Sequence, residues 1–155
     1  MPTPEVKAYL DDRGVAYETI LYQHAYDSQH VAAAAHVSGK QLAKTVVIKT
    51  DDKLVMAVLP ADARVDCDRL KATLGVAYAE LAKERDFKPL FGDCEVGAMP
   101  PLGPLFNVDV FVDESLAEEG TIAFRAGTHG ELIKMSYADF ERVAAPRVLS
   151  LAYRR

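Results

Sequence analysis

The chain has no tryptophan and only two cysteines in 155 residues. Cys67 and Cys94 are far apart and form no CxxC pair, which excludes a disulfide-stapled scaffold and a zinc knuckle; two free thiols in a reducing compartment are expected. Long apolar runs are also lacking. The longest, Val31–Ala35, Thr45–Ile48 and Leu54–Leu59, fall far short of the ~18 residues of a membrane span, so no membrane partner is expected. The amino terminus reads Met1-Pro2-Thr3-Pro4-Glu5, with a carboxylate and prolines where a secretory signal needs basic and then apolar residues. A cytoplasmic location is the expectation. Basic charge is in deficit: 18 Lys+Arg face 23 Asp+Glu, for a net charge of −5. Long-range attraction to a nucleic-acid backbone is therefore not favoured, and such a partner would have to be gripped locally, at an end. GxGxxG, GxxxxGK[ST], HExxH and GxSxG are all absent, so none of the chemistries those motifs carry is signalled.

What is present is an ordinary globular composition, 50% hydrophobic and 26% charged, at the length of one domain. No linker or repeat divides it, so residues 1–155 are read as a single domain. Thr3 and Pro4 can open a helix with Val6, Tyr9 and Leu10 on one face and Gly14 past its end. Val15–Tyr22 is strand-like, and Ser28–His36 is a short Ala-rich helix. Thr45–Lys49 and Leu54–Leu59 form a hairpin whose near-continuous apolarity predicts strands covered on both faces. Asp66 caps a helix to Leu74 that Gly75 ends, and Glu80–Arg85 reads as a second helix. Between Phe91 and Phe106 the density of Gly92, Gly97, Pro100, Pro101, Gly103 and Pro104 predicts a constrained loop without regular structure. Val108–Val112, Thr121–Arg125 and Leu132–Met135 read as short strands. Ser136 and Asp139 form a capping box for a helix through Val143. Five or six strands and four or five helices without βαβ alternation give an α+β fold, a curled mixed sheet with helices outside.

Three features can carry chemistry. Lys44 lies where a polar segment meets the apolar strand Thr45–Ile48; it either snorkels to water or aims an ammonium into a cleft to fix a phosphate or polarise a carbonyl. Gly97-Ala98-Met99-Pro100-Pro101 is either a plain turn or a rigid loop whose N–H groups meet a developing oxyanion. Ala126-Gly127-Thr128-His129-Gly130 is either a solvated hairpin tip or a turn that holds an imidazole over a pocket. His24, His30 and His36 recur every six residues, about 600° on a helix, so His30 and His36 point to different faces and a three-His metal site is not expected.

Taken together, Ala43-Lys44-Thr45-Val46-Val47, Ala57-Val58-Leu59-Pro60-Ala61-Asp62, Gly97-Ala98-Met99-Pro100-Pro101 and Ala126-Gly127-Thr128-His129 resemble, in order and spacing, the YbaK/prolyl-tRNA-synthetase editing-domain family. The resemblance runs from about Val15 to Pro146. It implies a mixed, barrel-like sheet of about six strands surrounded by helices, and hydrolysis of mischarged aminoacyl-tRNA at the tRNA 3′ end. It also implies site residues: Lys44, Gly97 and His129 as catalytic, and Thr45, Val47, Leu59, Ala98, Met99, Pro100, Pro101, Gly127 and Thr128 as substrate-binding. An aminoacyl ester is already activated, so such a site needs positioning and oxyanion stabilisation more than a strong nucleophile. Neither cofactor nor metal is implied.

Thr45 follows the lysine as in members acting on cysteinyl-prolyl-tRNA, whereas the Gly127-Thr128-His129-Gly130 turn is more like that of single-domain members with varied substrates. The amino acid removed therefore stays open among small ones (Ala, Cys, Ser, Pro), with Met99, Val47 and Leu59 expected to wall a narrow pocket. Partners are the acceptor end of an aminoacyl-tRNA and, for further affinity, an aminoacyl-tRNA synthetase. Arg154, Arg155, Lys40 and Lys49 are the local cations available for backbone contact. Two rival readings are a non-catalytic module binding a nucleotide or aminoacyl-adenosine, and a metal-dependent hydrolase built on His24, His30 and His129.

Overall fold

The structure is a computed structural model, and it describes residues 4–21, 41–51, 53–91, 94–95 and 97–153. The expected helix Ser28–His36, Thr3, His24, His30, His36, Lys40 and the terminal arginines lie outside the described residues.

Helix α1 (Pro4–Asp12) buries Val6, Tyr9 and Leu10, the stripe predicted from spacing. Strand β1 (Tyr17–Leu21) follows, and the hairpin comes next as β2 (Ala43–Thr50) and β3 (Leu54–Pro60), antiparallel with Lys44 opposite Leu59. Two-residue β4 (Arg64–Val65) leads to α2 (Cys67–Leu74). Asp66 caps α2 by accepting from Arg69 N, and Gly75 closes it in the left-handed conformation. Then come β5 (Ala79–Leu81), α3 (Glu84–Phe87), α4 (Gly103–Phe106), β6 (Asp109–Asp113) and α5 (Glu114–Ala117). The chain finishes with β7 (Thr121–Arg125), β8 (Glu131–Ser136), α6 (Tyr137–Ala144), β9 (Arg147–Leu149) and β10 (Ala152–Tyr153). Ser136 caps α6 by accepting from Asp139 N, as its spacing predicted.

Two of the sequence expectations are corrected. The predicted helix Glu80–Arg85 is instead the end of β5 followed by the turn of α3, because Ala79, Glu80 and Leu81 pair with Thr50, Lys49 and Ile48 of β2. Sheet pairing overrides a weak local helix preference there. Gly103 and Pro104, expected to forbid regular structure, open α4; proline has the φ and the missing N–H that a first helical turn tolerates.

The strands form a five-stranded sheet ordered β5-β2-β3-β6-β9, a three-stranded sheet ordered β1-β8-β7, and the pair β10-β4. Because β3 and β6, and β6 and β9, run parallel, the large sheet is mixed. A bridge between Leu42 and Ala123 joins the start of β2 to β7, so the large sheet curls onto the small one without closing a barrel. The α+β, curled mixed-sheet expectation stands; ten short strands replace the six expected.

Alternation along β2 and β3 sorts two cores. Val47, Met56 and Val58 face the three-stranded sheet and meet Ile122, Phe124 and Phe140. Ile48, Val55, Ala57 and Leu59 face α2 and the carboxy-terminal segment, where they meet Leu70, Phe111 and Leu151. β3 is thus covered on both faces, as its apolar run predicted.

The second core is held shut by one buried carboxylate. Asp113 Oδ1 accepts from Leu151 N and Ala152 N, both at 3.0 Å, while Oδ2 accepts from Ser115 N and Ser115 Oγ. Asp113→Ala leaves buried N–H groups unsatisfied and should cost about 2–4 kcal/mol. Urea unfolding measures it; a loss below about 1 kcal/mol would contradict this account of the carboxy-terminal closure.

Candidate active site

The two loops singled out by sequence meet. Glu95 N donates to Gly127 O at 2.8 Å, and Gly127 N donates to Ala98 O at 2.8 Å, so the 95–98 and 126–129 segments are laced by backbone. Ala98 N closes a turn onto Glu95 O at 3.0 Å. A side chain completes the clamp: Glu95 Oε1 accepts from His129 N at 3.1 Å. Gly97 and Gly127 take φ of +85° and +96°, left-handed conformations that L side chains rarely adopt. The His129 ring lies directly over Gly97, where a β-carbon would come within 3.2 Å of Cε1. Glycine is therefore required at 97 for backbone shape and for room to seat the imidazole.

Around this contact the loop is built for rigidity. Ala98, Met99, Pro100 and Pro101 are all buried, and Met99, Ala126 and Val47 share one core. Ala98 N–H is engaged by Glu95 O, whereas the Gly97 N–H enters no hydrogen bond among the described residues. It is one of two such donors in the loop, the other being the Met99 N–H. Thr128 Oγ1 is buried and has no hydrogen-bond partner among the described residues. Two buried charged residues, Arg125 and Glu131, bracket the histidine turn.

Lys44 enters from the start of β2. The Leu42–Ala123 bridge sets this end of β2 beside β7, whose last residue, Arg125, leads into the turn carrying His129. Lys44 thus starts from the same end of the sheet as the two loops, but as the cross-strand partner of Leu59 it carries its side chain on the face away from Val47 and Met99, near Asp62 and Arg64. Its side chain is half-buried, and its pKa is held below the ordinary lysine value, chiefly by burial and next by the positive charge of Arg64; Asp62 opposes them. Between that lowered pKa and the ordinary one, the folded chain keeps the amine neutral while the unfolded chain keeps it charged. The unfolded state then binds more protons, so stability rises with pH through that window. Arg64→Ser removes a lowering influence and should move the Lys44 titration upward, whereas Asp62→Asn should move it down. NMR titration of the lysine ε-carbon reads both; a shift in the opposite sense would contradict the arrangement.

One expected grouping is not formed. Val47 and Met99 lie in the core between the two sheets, but Leu59 points to the other face of the hairpin, into the core with Leu70 and Leu151. Period-two alternation separates Val47 from Leu59, since Leu59 pairs with Lys44. These three residues therefore do not wall one pocket. Thr45, opposite Val58, is on the Met99 side and only partly buried. Sequence reading missed Glu95 as the clamp, and Arg64 as the cation beside Lys44. Lys49 is held 3.9 Å from Asp86. Cys67 and Cys94 are both partly buried thiols outside any disulfide, and burial together with Asp66 and Asp68 pushes the Cys67 thiol up.

A cleft of about 630 Å³ lined by Thr50, Lys53, Asn107, Phe111 and Arg147 opens at the other end of the large sheet. Thr50 lies six residue steps along β2 from Lys44, about 20 Å at ~3.3 Å per residue. The loop pair is a separate site. Among the described residues no three His, Cys, Asp or Glu side chains gather as metal ligands, and no helix is long and apolar enough to cross a membrane.

An α+β domain with a curled mixed sheet of this kind has the fold of the editing domains. The chain belongs to the aminoacyl-tRNA editing domain family, which residues 22–143 match. A proline–tRNA ligase of Bacillus cereus (strain G9842) is 28% identical over 116 residues, 74% of this chain and 20% of the ligase. That of Bacillus cytotoxicus is 29% identical over 116 residues, again 74% of this chain and 20% of the ligase. The chain spans about one fifth of the length of these relatives. A solved structure assigned provisionally as a trans-editing enzyme for prolyl tRNA synthetase superposes with a TM-score of 0.84 at 18% identity, covering 97% of this chain and 98% of that one. The hypothetical protein APE2540 superposes with a TM-score of 0.85 at 21% identity, covering 96% and 99%. At those identities the likeness concerns the fold.

Proposed function

We propose that the protein is a trans-editing hydrolase that removes a small amino acid (Ala, Cys, Ser or Pro) from mischarged tRNA by cleaving the ester at the 3′ end. Family membership supports the class of reaction. The observation that carries the site is the seating of the His129 ring on Gly97, with the two loops laced together and a half-buried lysine at the same sheet end.

In this reading the Gly97 N–H donates to the ester's carbonyl oxygen as negative charge develops on it, a donor of a kind whose removal typically costs about 2.7–4 kcal/mol of catalysis. Lys44 binds the terminal ribose or phosphate and stabilises the same developing charge. His129 orients the attacking water or the free ribose hydroxyl. Ala98, Pro100 and Pro101 keep the loop rigid, Gly127 shapes the turn, and Thr128 Oγ1 offers a hydroxyl to the substrate. Thr45 and Met99 bound the amino-acid side chain; Val47 and Leu59 support β2 and β3 from either side. The acidic chain grips the single-stranded acceptor end alone, and a synthetase supplies the remaining tRNA affinity in the cytoplasm. Neither a cofactor nor a metal takes part.

The test is a panel of Ala-, Cys- and Ser-charged tRNA(Pro), Ser-charged tRNA(Thr) and Ala-charged non-cognate tRNAs, with and without chelator. Faster-than-buffer discharge of at least one, unaffected by chelator, is expected. Chelator-sensitive discharge would overturn the metal-free mechanism. No discharge by folded protein would favour a binding module.

A further inference from the structure

Glu95 has more bonding capacity than its clamp uses. One carboxylate oxygen, Oε1, accepts from His129 N at 3.1 Å. The other, Oε2, meets no partner among the described residues, and the side chain is exposed. The position is fixed from three directions: the Glu95 N–H is bound to Gly127 O, its carbonyl accepts from Ala98 N, and its side chain is bound to the histidine turn. A fixed, exposed carboxylate thus stands two residues before the unengaged Gly97 N–H.

An anion there is at odds with oxyanion chemistry, because a carboxylate beside a site of developing negative charge raises the barrier. The conflict disappears if a cation sits between them. The aminoacyl ester brings one: its α-ammonium is attached to the carbon next to the reacting carbonyl, within about 3 Å of it by covalent geometry. Charge-assisted N–H···O⁻ bonds are shorter and stronger than neutral ones, so a pre-positioned carboxylate suits this group.

We propose that Glu95 Oε2 receives the substrate's α-ammonium and so restricts the site to esters of amino acids with a free amino group. Peptidyl and N-acylated esters present no cation to the carboxylate and are rejected. This inference rests on the deacylase reading, and Glu95 acts in it as a substrate-binding residue in addition to its role in clamping the turn.

The probes are 3′-(L-alanylamino)-3′-deoxyadenosine, a non-hydrolysable amide analogue, and its N-acetyl derivative, titrated calorimetrically against wild type and Glu95→Gln. Glutamine keeps an acceptor for His129 N, so the clamp survives, and an unchanged His129 amide shift by NMR verifies it. Wild type should prefer the free amine at least tenfold, and Glu95→Gln should bring that preference close to one. Alanyl-tRNA and N-acetylalanyl-tRNA discharge is followed on the same preparations. A wild type that discharges charged tRNA but shows no preference, or a preference that Glu95→Gln retains, overturns the assignment and leaves the deacylase reading standing. A wild type that discharges no charged tRNA removes that reading and this inference with it.

Discussion

Lys44→Ala should lower deacylation at least a hundredfold while leaving the thermal unfolding transition close to that of wild type. The expectation combines two properties of the same side chain. Its ammonium is half-buried and pressed by Arg64, so charging it carries a cost in the folded chain. Removing it therefore takes away little net stability, because the lost packing of its stem is offset by relief of that cost. In the proposed reaction the balance reverses, since a partly desolvated cation interacts more strongly with developing negative charge than one in water does. Electrostatic donors of this kind account for about 10²–10³ in turnover. Deacylation rate and a circular-dichroism melt on the same preparation measure the two halves. A variant within threefold of wild-type turnover would remove Lys44 from the chemistry.

Gly97→Ala should be nearly as damaging for activity and moderately damaging for stability. At φ +85° an L residue pays about 1–2 kcal/mol in backbone strain. The added methyl lies 3.2 Å from His129 Cε1, tighter than ordinary contact, so the imidazole must shift. For the orienting role proposed for His129, a displacement of that size is worth about one to two orders of magnitude in rate. The expected result is an unfolding free energy lower by about 1–2 kcal/mol, with turnover reduced at least tenfold at saturating substrate. Wild-type turnover with the stability loss present would show that the histidine seat is structural only.

Legibility of the fold in the sequence followed the length and periodicity of each element. The β2–β3 hairpin was readable because its apolar runs leave no room for an exposed face, and both strands are in fact covered on two sides. α2 was readable from its ends, Asp66 and Gly75, and α6 from Ser136 and Asp139. Two-residue β4 and β10 and three-residue β9 leave no period to detect; they exist because partners are present, and Asp113 bonds the segment just before β10. Glu80–Arg85 carries helix-forming residues but answers to β2 instead.

The site divided in the same way. Gly97 and His129 were each readable as turn residues, and their contact depends on the fold that brings the two loops together. Glu95 gave no local signal at all: its function as a clamp depends on an amide 34 positions away. Leu59 was placed with Val47 because both are apolar and close in the hairpin, yet the register puts them on opposite faces.

The central claim is that this chain opens the ester of a charged tRNA and leaves the tRNA itself intact. One measurement addresses it directly: free amino acid and full-length tRNA are quantified together as wild-type protein acts on mischarged tRNA(Pro). The account predicts amino-acid release above the buffer rate, matched by an equal gain of uncharged tRNA ending in its complete 3′ terminus. Charged tRNA that persists unchanged beside folded protein, or tRNA shortened at its 3′ end, would contradict it.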